Sequence, residues 1–276
     1  MTFIASVVLA AATSCAGLNE PAFDTLISHR GESLDAPENT MPAFRLAVER
    51  GFGFECDVYL SKDKRVFSFH DRNLKRTTGK DLPCSEASWS ETLSKLDAGA
   101  WKGEKWKGVR PALLEEILPL ARPNRKIYVE IKSGPEIVPY VKEIFAAQSA
   151  ANPRTALFIC FNKAVCAKLN ELMPEYKVYW LCTAPRPDPK DDPAKPSAAA
   201  GIINTLRKIG ADGVDIKFEP KVVTADFVKE VKAAGFEVHV WTVDDLELAR
   251  LAFSRGVQTV TTNCSKELLD LHRAGK

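Results

Sequence analysis

The sequence predicts an α/β chain folded as a (β/α)8 TIM barrel, with a small insertion after an antiparallel hairpin near the second strand. Three observations carry this. Eight β-rich runs alternate with helical stretches, and such alternation implies parallel strands joined by crossover helices. The length, 276 residues, is one that such a barrel commonly takes as a single domain. One further β-rich run follows its predecessor too closely for a crossover helix, so it can pair only antiparallel.

The first strand lies in TLISHRG, residues 25–31. APENTMPAFRLAVERG then reads as a helix, with Thr40 at the N-cap, Pro42 in the first turn and Gly51 closing it. FGFECDVYL is the second strand, and RVFSFHD, residues 65–71, is the return arm of the hairpin. Residues 72–124 are rich in Trp, Gly, Lys and Ser and form the insertion, ending in a helix at ALLEEILPLA. The remaining strands are RKIYVEIK, TALFICF, YKVYWLC, ADGVDIKF, FEVHVWTV and VQTVTTN. Between them, EIVPYVKEIFAAQSA, AVCAKLNELM, NTLRKIG, TADFVKEVKAAG and DDLELARLAFSRG supply helices. The Pro- and Asp-rich stretch Thr183 to Gly201 reads as a surface loop. The barrel is expected over residues 24–274.

Apolar residues make up 45% and charged residues 27%, and the formal net charge is +2. This near balance gives no sign of a nucleic-acid partner. Beyond the N-terminus no stretch is long and apolar enough to span a bilayer. Residues 1–16 are apolar and then small, like the core and cleavage end of a secretory signal, although Lys and Arg are missing from the start. Cys15 is alternatively a lipoprotein cysteine that would carry a lipid anchor. Either reading makes the chain exported, to the periplasm, a lipid anchor or the medium; without a signal it is cytoplasmic. Cys56, Cys84, Cys160, Cys166, Cys182 and Cys264 show no zinc-type spacing. They are either disulfide partners or buried thiols used as small hydrophobes.

Side chains alternate faces along a strand. Glu55 and Asp57 therefore share a face, with Cys56 on the other, and Glu130 and Lys132 share a face opposite Val129 and Ile131. The apolar set packs against helices, so the charged set faces the barrel axis near the C-terminal mouth, where barrel enzymes place their sites. Singly, each carboxylate is also accounted for by an ion pair. Three converging carboxylates repel unless neutralised, and a hard divalent cation, Mg2+ or Ca2+, suits their oxygen donors. His29 ends the first strand and His70 arrives on the hairpin; such a pair can serve as general base and general acid. Arg30 offers a fork of donors to a phosphate oxygen, and Lys132 adds positive charge. Together these groups match what phosphoryl transfer to water requires.

HRG with PENT, then ECDVYLSKDKRVFSFHD, LKRTTG, LDAGAWKG, VEIK and VHVWTV resemble, in order, the glycerophosphodiester phosphodiesterase (GDPD) family. The resemblance implies an enzyme, a phosphoric diester hydrolase of lipid and glycerol metabolism. It would cut a small-molecule glycerophosphodiester to sn-glycerol 3-phosphate and an alcohol. It places the catalytic pair on His29 and His70, the metal ligands on Glu55, Asp57 and Glu130, and substrate contacts on Arg30, Lys132 and Trp241. Glu38 and Asn39 would stand behind them, orienting Arg30 or His29, unless Asn39 and Thr40 merely cap the helix. The attacking group is either water or the glycerol 2-hydroxyl, the latter through a cyclic phosphate. Which histidine is acid and which base stays open.

The chain departs from the family pattern in three places. Asp63-Lys64 replaces Asp-Gly in the hairpin turn, so another turn geometry is expected. Thr262-Asn263-Cys264-Ser265 replaces Thr-Asp-x-Pro, which removes a carboxylate at the mouth but no predicted catalytic or metal residue. WTVD replaces WTVN, a minor change. Two other readings share the residues: a lysophospholipase D or phospholipase C-like activity on a lipid phosphodiester, and an inactive barrel that binds phosphodiesters. The second would call for a lost carboxylate or histidine, and none is lost. His239 is expected in the barrel core bonded to a neighbour, and His272 solvated in a polar tail. Asp215, Lys217 and Glu219 share one strand face, Lys217 reaching either substrate or an internal ion pair.

Overall fold

A computed structural model describes residues 23–184 and 197–275. The signal and Cys15 readings lie outside these residues, as does most of the expected loop after Thr183. Nine strands are described: β1 (Leu26–Ser28), β2 (Gly53–Leu60), β3 (Val66–Ser68), β4 (Ile127–Ile131), β5 (Ala156–Cys160), β6 (Val178–Cys182), β7 (Gly213–Lys217), β8 (Glu237–Trp241) and β9 (Val260–Thr262). All but β3 run parallel, in the order β1-β2-β4-β5-β6-β7-β8-β9, and β9 pairs back onto β1 to close the barrel. β3 pairs antiparallel with β2. The eight-stranded prediction and the hairpin arm both hold.

The helices are α1 (Met41–Glu49), α2 (Lys75–Thr78), α3 (Leu114–Ile117), α4 (Val138–Ala146), α5 (Lys163–Leu172), α6 (Ala198–Ile209), α7 (Ala225–Ala233), α8 (Leu246–Ser254) and α9 (Ser265–Arg273). Their starts follow local chemistry: Asn162, Ser197, Thr224 and Asp245 each accept a backbone N–H from the first turn. Thr40 sits at the N-cap of α1, but its hydroxyl donates to the Pro37 carbonyl and does not cap. Residues 198–201, expected in a loop, form the first turn of α6, because Ser197 caps it and alanines favour it. His272 is not in a solvated tail. It lies on α9, whose Leu268 and Leu269 are buried, and its ring stacks on Phe23 with centroids 3.9 Å apart.

The outward apolar strand residues, among them Phe54, Cys56, Val58, Val129, Phe158, Val214 and Val240, form the main core with the helices. The inward residues fill the barrel in layers. The pairing registers advance one residue per strand and return to Ile27 after a full circuit. The lowest layer is thus Ile27, Tyr128, Tyr179 and His239, and the next is Glu55, Ile159, Asp215 and Thr261, each set from alternate strands. Above them come His29, Glu130, Leu181 and Trp241, and at the rim Asp57, Phe161, Lys217 and Asn263. Between β3 and β4 the chain runs through short helical turns over their own apolar cluster, Tyr59, Phe67, Leu74, Trp89, Leu93 and Leu113. The six described cysteines are buried free thiols, which is the second of the two readings given above.

Candidate active site

Glu55 and Asp57 on β2 and Glu130 on β4 climb three successive layers on adjacent strands. Each offers an oxygen within 4.8 Å of the others, and all three are buried. Burial, then Asp57 and Glu130, push the Glu55 carboxyl well above its ordinary range. Burial and then Asp57 raise Glu130 to about 8. Asp57 goes the other way: burial opposes its charge, but Lys132 and Arg30 outweigh it, with His70 and His29 adding to them. Burial and mutual repulsion thus favour the neutral forms of Glu55 and Glu130, while the two cations favour the charged form of Asp57. Glu55 Oε1 is buried without a hydrogen-bond partner. Hard oxygen donors, repelling one another and aimed at one point, fit a divalent cation of the Mg2+ or Ca2+ kind.

Basic groups surround this cluster. Lys132 Nζ lies 2.9 Å from Glu130 Oε1 and 3.3 Å from Asp57 Oδ1. Arg30 Nε is 3.6 Å from Asp57 Oδ2, and the Arg30 backbone N–H donates to Glu55 Oε2 at 2.8 Å. The backbone makes this possible by a sharp turn, with Arg30 at φ +58° and Gly31 at φ +74°. A Cβ on Gly31 would lie 2.6 Å from the Ala43 carbonyl carbon, so the third residue of HRG must be glycine.

Glu38 and Asn39 lie behind this shell and divide the work. Glu38 accepts from Arg30 at 2.8 Å and from Arg76 at 2.7 and 2.9 Å. Asn39, at φ +56°, braces Asp57 from both ends. Its Nδ2 donates to Asp57 Oδ2 at 2.7 Å, and its Oδ1 accepts from the Asp57 N–H and the Ser68 hydroxyl. It does not touch His29. Arg76 continues to Asp71, and Asp71 Oδ1 lies 2.7 Å from His70 Nδ1. Arg76 and His70 hold Asp71 at about 2 against the cost of burial.

His29 has a different partner. Its Nδ1 lies 2.7 Å from Asn263 Oδ1, and Asn263 in turn rests on Asp244 through its side chain and its backbone N–H, at 2.7 and 2.8 Å. Burial, then Arg30, lower the His29 imidazole to about 4. Sequence reasoning missed Asn263 and Asp244 as site residues, although both departures from the family pattern had singled them out. They stand 234 and 215 residues from His29 in the chain, and only the barrel closure brings them beside it.

Trp241 lies in the His29 and Glu130 layer. Its indole N–H donates to the Asp215 carbonyl at 3.0 Å, and its ring meets Phe161 edge-on at 5.5 Å. Phe161, 45% exposed, stands at the mouth in the same layer as Asp57. Lys217 is exposed with Glu219 at 3.8 Å. Asp215 is buried one layer down with no partner for either oxygen. His239 is a core histidine as expected, 2.7 Å from Thr259 Oγ1 and stacked on Tyr179. A cavity of about 400 Å³ opens beside it at the opposite end of the barrel, away from the carboxylates. No described helix is long and apolar enough to cross a membrane.

Known proteins resemble this chain in sequence and fold. The pattern of the Glycerophosphoryl diester phosphodiesterase family matches residues 29–267. The chain is 29% identical, over 91% of its length and 98% of the relative's, to a glycerophosphodiester phosphodiesterase of Caldanaerobacter subterraneus. It is similar to the solved structure of a phosphodiesterase of Oleispira antarctica in complex with the product sn-glycerol-3-phosphate. That match has a TM-score of 0.78 and 26% identity, covering 90% of this chain and 96% of that one. A glycerophosphodiester phosphodiesterase of Thermotoga maritima matches with a TM-score of 0.67 at 25% identity, over 90% and 97% of the two chains.

Proposed function

The chain belongs to the glycerophosphoryl diester phosphodiesterase family, and from that premise we propose that it hydrolyses a glycerophosphodiester to sn-glycerol 3-phosphate and an alcohol, using His29 and His70 as the acid–base pair. It is accordingly a phosphoric diester hydrolase. The observation that carries the reading is the convergence on Asp57 of two carboxylates, two cations and two imidazoles.

Glu55, Asp57 and Glu130 would hold the divalent cation. When bound, it would supply Lewis-acid charge to a phosphate oxygen. Arg30, fixed by Glu38, and Lys132, fixed by Glu130, offset charge on the remaining phosphate oxygens. One imidazole removes the proton of the attacking hydroxyl, from water or the glycerol 2-hydroxyl. The other protonates the departing alkoxide, so the overall reaction consumes one water. Trp241 and Phe161 form the wall against which the organic part of the substrate lies. The mobile proton and the fixed charges thus come from separate residues.

The test is release of glycerol 3-phosphate from glycerophosphocholine in the presence of Mg2+ or Ca2+. His29→Ala and His70→Ala should each lose about 100-fold or more in kcat, the usual share of a general acid or base, with unchanged folding by circular dichroism. Activity retained in both variants contradicts the acid–base assignment.

A further inference from the structure

We propose that Asn263 and Asp244 are positioning residues that lock His29 in its Nδ1–H tautomer, leaving Nε2 as a bare acceptor, so that His29 is the base and His70 the acid. The proposal rests on the hydrolase reading for the identity of the reaction, and on hydrogen-bond bookkeeping for the tautomer.

Asp244 fixes the amide that touches His29. An ionised carboxylate only accepts hydrogen bonds. Asp244 accepts three: from the Thr262 hydroxyl at 2.9 Å, the Asn263 backbone N–H at 2.8 Å and the Asn263 side chain at 2.7 Å. The side-chain atom of Asn263 facing Asp244 is therefore its NH2. That fixes the orientation of the amide, which is otherwise ambiguous. Its oxygen then faces His29 Nδ1 at 2.7 Å and also accepts weakly from Ser33 at 3.4 Å. An amide oxygen cannot donate, so Nδ1 carries the proton. In a neutral ring Nε2 is then a lone pair.

His70 is placed otherwise. A carboxylate, Asp71, lies directly against its Nδ1, with Arg76 behind. It thus has at hand the counter-charge that a proton-donating imidazolium requires. His29 instead has a neutral amide between its ring and the nearest carboxylate on that side. The charged groups facing His29 are Arg30 on its own turn, Asp57 on β2, His70 on the hairpin and, behind the amide, Asp244. The two histidines are distinguished by what touches Nδ1: an uncharged acceptor for one and a charged one for the other. The resemblance drawn from the sequence gives Asp and Asn at these two positions in the reverse order, so this chain moves the carboxylate one bond away from the ring.

The tautomer can be read without turnover. The chain has only four histidines, so long-range 1H–15N correlation resolves each ring, with His29→Ala assigning its signals. The wild-type protein at neutral pH should show a pyrrole-type nitrogen at Nδ1 and a pyridine-type nitrogen at Nε2 of His29. In Asp244→Asn the amide is free to turn over and the two tautomers should mix. A wild-type ring protonated at Nε2, or a tautomer indifferent to Asp244→Asn, overturns the proposal whatever the substrate proves to be. Kinetically, Asp244→Asn should lower kcat about 10- to 100-fold with KM little changed, the range for losing a group that orients a ligating or catalytic ring. The double variant Asn263→Asp/Asp244→Asn restores the hydrogen-bond count, so it should recover most of kcat. It should also move the acid limb of kcat/KM to higher pH, because the carboxylate now touches the ring and favours imidazolium. An exchange variant no more active than Asp244→Asn, or one with an unmoved acid limb, also overturns the assignment.

Discussion

Asp215 shows how much a single buried acid can weigh. It lies in the layer of Glu55, 1% exposed, with neither oxygen partnered, and burial alone raises its carboxyl from 3.8 to about 8. Its folded value lies above its unfolded one. The native state therefore binds more protons between those limits, and stability falls as pH rises from about 4 to about 8. Asp215→Asn keeps the shape and removes the ionisation. Its unfolding free energy should gain on the wild type as pH rises through that window, by at most about 1.4 kcal/mol per pH unit, and its thermal midpoint should rise with it. Equal midpoint differences at pH 5 and pH 8.5 contradict this. Among single residues, Glu55, Asp57, Glu130 and Lys132 were legible in the sequence because strand parity is local. Asn263 was not: its importance lies in a contact with His29, and no local pattern encodes a partner across the closed barrel.

At the scale of elements, the hairpin of β2 and β3 carries His70 to the rim. The expected change of turn geometry did not occur. Lys64 itself takes the left-handed conformation, φ +65°, that glycine would supply. Asp63 compensates by accepting from Ser61, Trp89 and Ser90, which ties the turn to the insertion. A non-glycine residue in that region carries a cost of about 1 kcal/mol. Lys64→Gly should therefore stabilise the protein by roughly 0.5–1 kcal/mol in urea melts, less the backbone entropy glycine adds to the unfolded chain. Destabilisation would show that the strain lies elsewhere. The order of strands and most helices could be read from periodicity. Helix α9 could not: its SKELLDLHR segment is mostly polar, and it is anchored by the buried Leu268 and Leu269 and by His272 stacked on Phe23. The start of α6 was masked by a Pro- and Asp-rich approach that ends at a serine cap.

Over the whole molecule, the layering separates two tasks. Lower layers of tyrosine, isoleucine and histidine fill the barrel, and upper layers place charge. The charged patch resists full ionisation: burial, and after it the neighbouring Asp57, favour protons on Glu55 and Glu130. A divalent cation would displace those protons, so its apparent affinity should rise with pH up to about 8, where Glu130 would otherwise ionise. Isothermal titration at pH 6 and pH 8 measures this, and a stronger binding at pH 6 contradicts it. The family was legible because its motifs fall in order along one strand–loop alternation. The measurement that bears most directly on the account is release of glycerol 3-phosphate from glycerophosphocholine before and after chelation. EDTA should abolish turnover and added Mg2+ or Ca2+ should restore it, whereas undiminished release in EDTA would contradict a catalytic centre built on Glu55, Asp57 and Glu130.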